Sequence, residues 1–201
     1  MESQEPKTPD MTFVAVGDMN TGKTAMILKY THRSLPETYT PTVLDNYLAE
    51  IEIKSLPITI ELCDIGGAQR HQKLRILSYA KAKVFLLCFS LVNPGSFLSV
   101  RNNWHREIKS HSPNTPIILV GTNKDLVDNQ EVREKLSRTN ESVVTDEEAK
   151  KLADELGYQG YLPCSSITGE GIRRVFDEAI KLAIYDKIHA TGKKKEKCII
   201  W

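Results

Sequence analysis

Cysteine is scarce in this 201-residue chain, and its four copies, Cys63, Cys88, Cys164 and Cys198, lie far apart. Three of them sit in or beside apolar strand-like runs, so neither a zinc spacing nor a disulfide framework is suggested, and a reducing, intracellular compartment fits best. Net charge is nearly absent: at +1 the chain carries no global field to attract nucleic acid, and only the C-terminus holds a basic cluster. Long apolar runs are missing too, since the longest, Val84 to Leu91, is far too short to span a bilayer. The first ten residues are polar and contain Pro6 and Pro9, which excludes a signal peptide, and Glu2 stands where myristoylation needs glycine. Asn140-Glu141-Ser142 matches a glycosylation sequon, which an intracellular chain has no occasion to use. What is present, 40% hydrophobic and 26% charged positions, is enough for one full-sized core. The chain therefore reads as a flexible N-terminus over 1–10, one domain over 11–188 and a basic tail over 189–201.

Strand-like runs fall at about 12–16, 47–53, 57–63, 83–90, 116–121 and 160–164, with helix-like stretches after the first, third, fourth, fifth and sixth. This alternation predicts an α/β fold: a six-stranded, mostly parallel sheet with helices on both faces. Val84 to Phe89 and Ile117 to Val120 are apolar without alternation, as strands buried on both faces are. Ile51 to Ile53 and Ile58 to Leu62 alternate instead, which predicts an edge hairpin turning at Ser55-Leu56-Pro57. Thr145-Asp146-Glu147-Glu148 is a capping box before a helix that Gly157 stops. Ile172, Val175, Phe176, Ala179, Ile180, Ala183 and Ile184 form one core-facing stripe on the last helix. The charged stretch of about 127–143 reads as a solvated surface insertion.

Between the first strand and the first helix stands Gly17-Asp18-Met19-Asn20-Thr21-Gly22-Lys23-Thr24, the context a phosphate-binding P-loop requires. Its glycines let the backbone aim successive N–H groups at phosphate oxygens, Lys23 supplies a point charge for the β and γ phosphates, and Thr24 offers a hydroxyl to Mg²⁺. With Asn20, Thr21, Gly22 and Ala25, this is a nucleotide site.

Downstream stand Tyr39-Thr40-Pro41-Thr42-Val43-Leu44-Asp45-Asn46-Tyr47, then Asp64-Ile65-Gly66-Gly67, Thr122-Asn123-Lys124-Asp125 and Cys164-Ser165-Ser166. Over about residues 11–201 the chain resembles the Rho family of small GTPases, and within it the Rac-like branch. The resemblance implies the P-loop small-GTPase fold, with GTP or GDP and Mg²⁺ as ligands. Thr42 would ligate Mg²⁺ and meet the γ-phosphate only in the GTP state, Asp64 would hold the metal through water, and the Gly67 N–H would touch the γ-phosphate. Asp125 would read guanine, with Ser165 and Ser166 supporting the base. Each of these alone is an ordinary loop or strand-end residue; as a set they point to function.

The departures are as informative. Met19 replaces the family's glycine where an arginine finger and the water-positioning glutamine crowd the γ-phosphate. Ala68 stands at the glutamine position itself, and Gln69 comes one place too late, because the spacing from Asp64 to Leu77-Ser78-Tyr79 equals the family's. An arginine finger supplies about 10³ to 10⁵ in rate, so the expectation is feeble hydrolysis, with no intact catalytic residue. Leu35 replaces an aromatic ring on the base, and Asn123 replaces the lysine that lies along it. Losing an aromatic edge contact forfeits about 0.5 to 1.5 kcal/mol, which predicts fast exchange and a GTP-bound resting state.

Tyr39, Val43, Leu44, Asp45, Asn46 and Tyr47 align with the effector loop, Leu44 standing where an aromatic is usual. Arg70 and His71 replace acidic and aromatic residues of the second switch, Cys63 stands where exchange factors read a larger side chain, and Leu74 and Leu77 remain as an apolar pair. Lys193, Lys194, Lys195 and Lys197 precede Cys198-Ile199-Ile200-Trp201, a C-a-a-X prenylation signal. One prenyl chain with about 1 kcal/mol per lysine makes a two-signal anchor on an anionic leaflet. The expected partners are effector proteins, a GDP-dissociation inhibitor, an exchange factor and the cytoplasmic face of a membrane, with no nucleic acid and the chain itself a monomer. A regulated GTPase served by a dedicated activating protein and a pseudo-GTPase scaffold remain as alternatives.

Overall fold

Side chains alternate across a strand with period two, and in this chain both halves of the alternation are apolar. In β1 (Met11–Val16), Phe13 and Ala15 face one core layer while Val14 and Val16 face the other. β4 (Val84–Ser90) and β5 (Ile117–Thr122) divide in the same way. These strands need cover on both faces, so they take the interior of the sheet. The computed structural model, which describes residues 8–34 and 42–190 with side chains to 185, shows this arrangement.

With β2 (Leu44–Ile53), β3 (Leu56–Ile65) and β6 (Gly160–Pro163), the strand order is β2-β3-β1-β4-β5-β6. Every pairing is parallel except β2 with β3. The hairpin turns at Lys54 and Ser55, both at positive φ (49° and 62°), and Leu56 and Pro57 already pair within β3. The turn thus falls earlier than the sequence suggests. A two-residue turn with both φ positive matches the strand twist, but neither residue is the glycine or asparagine that normally announces it.

One face is covered by α1 (Lys23–Tyr30) and α7 (Ile172–Ala190), whose Met26, Ile27, Val175, Phe176 and Ala179 are buried there. Tyr30 stacks on Phe176 with ring centroids 3.8 Å apart, tying the helix that follows the P-loop to the long C-terminal helix. The other face carries α2 (Gln72–Tyr79), α3 (Pro94–Ser99), α4 (His105–His111) and α6 (Asp146–Glu155). A π-helical turn, Val100–Trp104, joins α3 to α4. The Thr145–Glu148 capping box closes at the start of α6. The charged stretch forms α5 (Gln130–Arg138), capped by the Asn129 side chain, and of its residues only Leu136 is buried.

The order places β3 on one side of β1 and β4 on the other, so the chain reverses beside β1. In an open α/β sheet the crevice at the carboxyl ends of such strands is where ligands bind. The loops after β1, β3, β5 and β6 all lead from that edge.

Candidate functional site

The loop after β1 is braced from inside. Lys23, 6% exposed, donates from Nζ to the carbonyls of Gly17 (3.0 Å) and Asp18 (2.7 Å), and Thr21 Oγ1 donates to Asp18 C=O at 2.8 Å. Burial pushes the Lys23 ammonium below its usual range, against the pull of Asp64 and Asp18. The charge is held by two backbone carbonyls and, at 3.4 Å, the Thr21 hydroxyl, with no carboxylate bonded to it among the described residues, which leaves it available to an anion. Asn20 lies at φ 62° and Gly22 at φ 75°, a curled backbone leading into α1. Met19 projects from this loop, 51% exposed.

Behind Asp18, the Trp104 indole N–H donates to Oδ1 at 2.8 Å, fixing the P-loop to the π-helical turn. Thr122 Oγ1, at the end of β5, lies 2.7 Å from Thr21 C=O and 2.9 Å from Phe89 C=O, joining the P-loop to the third of these loops. Neither Trp104 nor Asp18 stands out in the sequence, since a pairing 86 residues apart leaves no local signal.

Three oxygens converge beside the lysine. Thr24 Oγ1 is 3.0 Å from Thr42 Oγ1 and hydrogen-bonds to Asp64 Oδ2. Asp64 is fully buried and its other oxygen, Oδ1, has no partner; burial raises its carboxyl above the usual range, although the Thr24 bond and Lys23 oppose this. Two hydroxyls and one buried, half-satisfied carboxylate are hard oxygen donors. They fit Mg²⁺ carried on a phosphate and keeping its own waters, which needs no dedicated cage of carboxylates. Among the described residues no cluster of three His, Cys, Asp or Glu could hold a metal alone.

The loop after β3 packs directly on the other two. A Cβ on Gly67 would stand 2.3 Å from Gly17 C=O and 2.7 Å from the Met19 nitrogen, and one on Gly66 would stand 2.1 Å from Thr42 C=O. Only glycine lets these backbones meet. Ala68 follows, half-buried, and Gln69 is exposed in the short 3₁₀ turn Gln69–His71. Arg75 anchors the segment: its guanidinium donates to Gly66 C=O (3.2 Å) and Ala68 C=O (2.8 Å), pairs twice with Glu107, and stacks over Trp104 at 4.9 Å. Tyr79 and Gln72 also donate to Glu107. The sequence reading missed this network entirely.

His71, which the sequence offers only as a departure in the second switch, is 8% exposed. Cys63 is 2% exposed inside β3, where burial pushes its thiol up to about 12, so it offers no side chain to a partner. Leu74 and Leu77 are exposed at 38% and 71%. Val43, Leu44, Asp45 and Asn46 are exposed at the start of β2, and Tyr47 lies half-buried under the Arg33 guanidinium.

At the far end of the crevice Asn123 adopts a left-handed φ of 59° and its amide donates to Ser90 Oγ at 2.9 Å. Asp125 is exposed, Ser165 is buried and accepts from the Thr168 N–H, and Ser166 is half-buried. Lys124 Nζ reaches Glu170 at 2.6 Å, linking the loops after β5 and β6. Leu35, Tyr39, the four tail lysines and Cys198 lie outside the described residues.

A sequence model described as the Ras family matches residues 12–185. That span holds the P-loop lysine buried on carbonyls, the three converged oxygens and the six-stranded sheet order, and on it the chain belongs to the Ras family of small GTPases, GTP-binding switch proteins built on the P-loop fold.

Proposed function

We propose that the protein is a Rho-like switch that rests in its GTP-bound form, hydrolyses GTP feebly, exchanges nucleotide quickly and acts on effectors at a membrane, in cytoskeletal organisation or membrane traffic. In this reading the backbone of Gly17, Asn20, Thr21, Gly22 and Ala25 cradles the phosphates and Lys23 neutralises them. Thr24 and Thr42 ligate Mg²⁺, which Asp64 holds through water, and the bound ion supplies positive charge to the phosphate oxygens. Gly67 donates its N–H to the γ-phosphate, while Thr122, Asn123, Asp125, Ser165 and Ser166 form the guanine end.

The observation that carries weak turnover is the loop junction at Gly67. The residue after it, Ala68, has only a methyl group to offer an attacking water, and Met19 rises from the backbone against which Gly67 packs. A thioether at that place competes with an arginine inserted from an activating protein. Fast exchange is supported by Asn123, whose amide is committed to Ser90, and by Leu35 in the sequence. Membrane attachment rests on Cys198 and the lysines before it, and the effector surface on Val43 to Asn46 with Leu74 and Leu77.

Single-turnover hydrolysis of preloaded γ-labelled GTP, with and without a Rho-type activating protein, tests the reading. Slow release in both arms is expected. Strong stimulation would instead establish a conventionally regulated GTPase. A Cys198→Ser variant that partitions to membranes as well as the parent chain would remove the lipid anchor.

A further inference from the structure

Among the described residues, two buried side-chain polar atoms have no hydrogen-bond partner: Asp64 Oδ1 and His71 Nδ1. A carboxylate oxygen beside a Mg²⁺ site accounts for the first. The second is an imidazole nitrogen on a residue 8% exposed, left unpaired in the loop whose alanine replaces the usual water-positioning side chain. A buried polar atom without a protein partner calls for an explanation, and a bound water is among the standard ones.

The tautomer follows from a neighbour. Arg70 Nε–H donates to His71 Nε2 at 3.1 Å, so Nε2 is the acceptor and Nδ1 carries the proton. That N–H converges with a backbone acceptor on one glycine. The point where a Gly66 Cβ would stand is 2.7 Å from His71 Nδ1 and 2.1 Å from Thr42 C=O, so the two distances together bound the separation of these atoms at 4.8 Å. A donor and an acceptor no more than 4.8 Å apart, the donor having no partner of its own, lie within the reach of a single bridging water.

We propose that His71 Nδ1–H, with the Thr42 carbonyl, orients the water that attacks GTP, taking over positioning from the side chain Ala68 lacks. The proposal rests on the nucleotide-binding reading above. A water held there donates one O–H to Thr42 C=O and the other to a γ-phosphoryl oxygen, accepts Nδ1–H on one lone pair, and keeps the second lone pair for phosphorus. As its oxygen bonds to Pγ, the bond from Pγ to the β–γ bridging oxygen breaks. That electron pair leaves with GDP, and a water proton passes to the phosphoryl oxygens to give inorganic phosphate. A donor orients the water without drawing off its proton, in keeping with slow turnover.

The test uses the full chain loaded with Mg²⁺ and GTP, comparing His71→Ala, His71→Asn and His71→Gln, with melting temperatures checking the fold of each. The asparagine amide reproduces the Nδ1 donor and the glutamine amide the Nε2 position. Expected is slower single-turnover phosphate release, by about tenfold, in His71→Ala and His71→Gln. His71→Asn is expected to restore most of it, with GTP dissociation unchanged throughout. The readout independent of turnover is a crystal structure with Mg²⁺ and the β,γ-imido analogue of GTP, in which a water should bridge His71 Nδ1 and Thr42 C=O. Phosphate release insensitive to His71, restoration by glutamine instead of asparagine, wild-type release no faster than GTP in buffer, or a ring turned to solvent would each overturn the proposal. Failure to retain GTP at all would remove the nucleotide-binding reading, and this proposal with it. Tight GTP retention with His71-independent release removes this proposal alone.

Discussion

Removing the Glu107 carboxylate should destabilise this protein more than removing both it and Arg75. Arg75 is 3% exposed and Glu107 13%, and their bonds are bidentate, at 2.8 and 2.9 Å. Burial alone would push the Glu107 carboxyl up, but the bonds from Arg75 and Tyr79 outweigh it and hold the group below its ordinary range. Burial likewise pushes Arg75 down, and Glu107 outweighs it. In Glu107→Ala the guanidinium stays buried with only two carbonyls and the Trp104 ring, and the Tyr79 hydroxyl loses its acceptor. Leaving an uncompensated buried charge costs about 3 to 5 kcal/mol, and the partners Arg75 keeps put the expected loss near 3. For a domain of this size that is a fall in melting temperature of about 6 to 12 °C. The assay is thermal unfolding at fixed nucleotide and Mg²⁺, since ligand shifts the midpoint, run as a double-mutant cycle with Arg75→Met. Arg75→Met/Glu107→Ala should melt above Glu107→Ala. Because Arg75 also holds the Gly66 and Ala68 carbonyls, amide exchange over residues 66–68 should quicken in Glu107→Ala. A loss below about 2 °C, or additive single mutants, would refute the claim that this pair holds the second switch.

Thr122→Ala strips the hydroxyl that faces the buried carbonyls of Thr21 and Phe89. The loss of about 1 to 3 kcal/mol should appear in part as GDP release about tenfold faster, read by displacement of a fluorescent nucleotide. Thr145→Ala removes one half of a closed capping box and should cost about 1 kcal/mol, seen as a lower melting temperature and faster exchange in the first turn of α6. Asp64 gives a pH test in nucleotide-free, metal-free protein. Its folded pKa is raised by burial, so ionisation is harder in the fold than in the unfolded chain, and stability is lost as pH rises from the unfolded value of about 3.9 through the folded one. Asp64→Asn should therefore gain on wild type in melting temperature as pH rises across that window, and a difference flat with pH would contradict the assignment.

Much of this was legible in the sequence because the chemistry that carries it is local. The uninterrupted apolar runs of β4 and β5 demanded cover on both faces, so interior strands and a two-layered core followed. The capping box needs three residues of spacing and the P-loop eight, and both stood in the expected context. The departures at Met19, Ala68, Leu35 and Asn123 were likewise visible as single letters in a fixed register. The tertiary structure alone decided what depends on which distant surfaces meet. The hairpin turned at Lys54 and Ser55 because strand pairing selected a positive-φ turn that neither residue advertises. Trp104 found Asp18 and Arg75 found Glu107 across 86 and 32 residues of chain, separations over which no periodicity survives. His71 carries a polar ring whose own solubility favours water. Packing placed it beside Gly66 instead, because burial is set by the sum of a residue's neighbours and not by its own solubility.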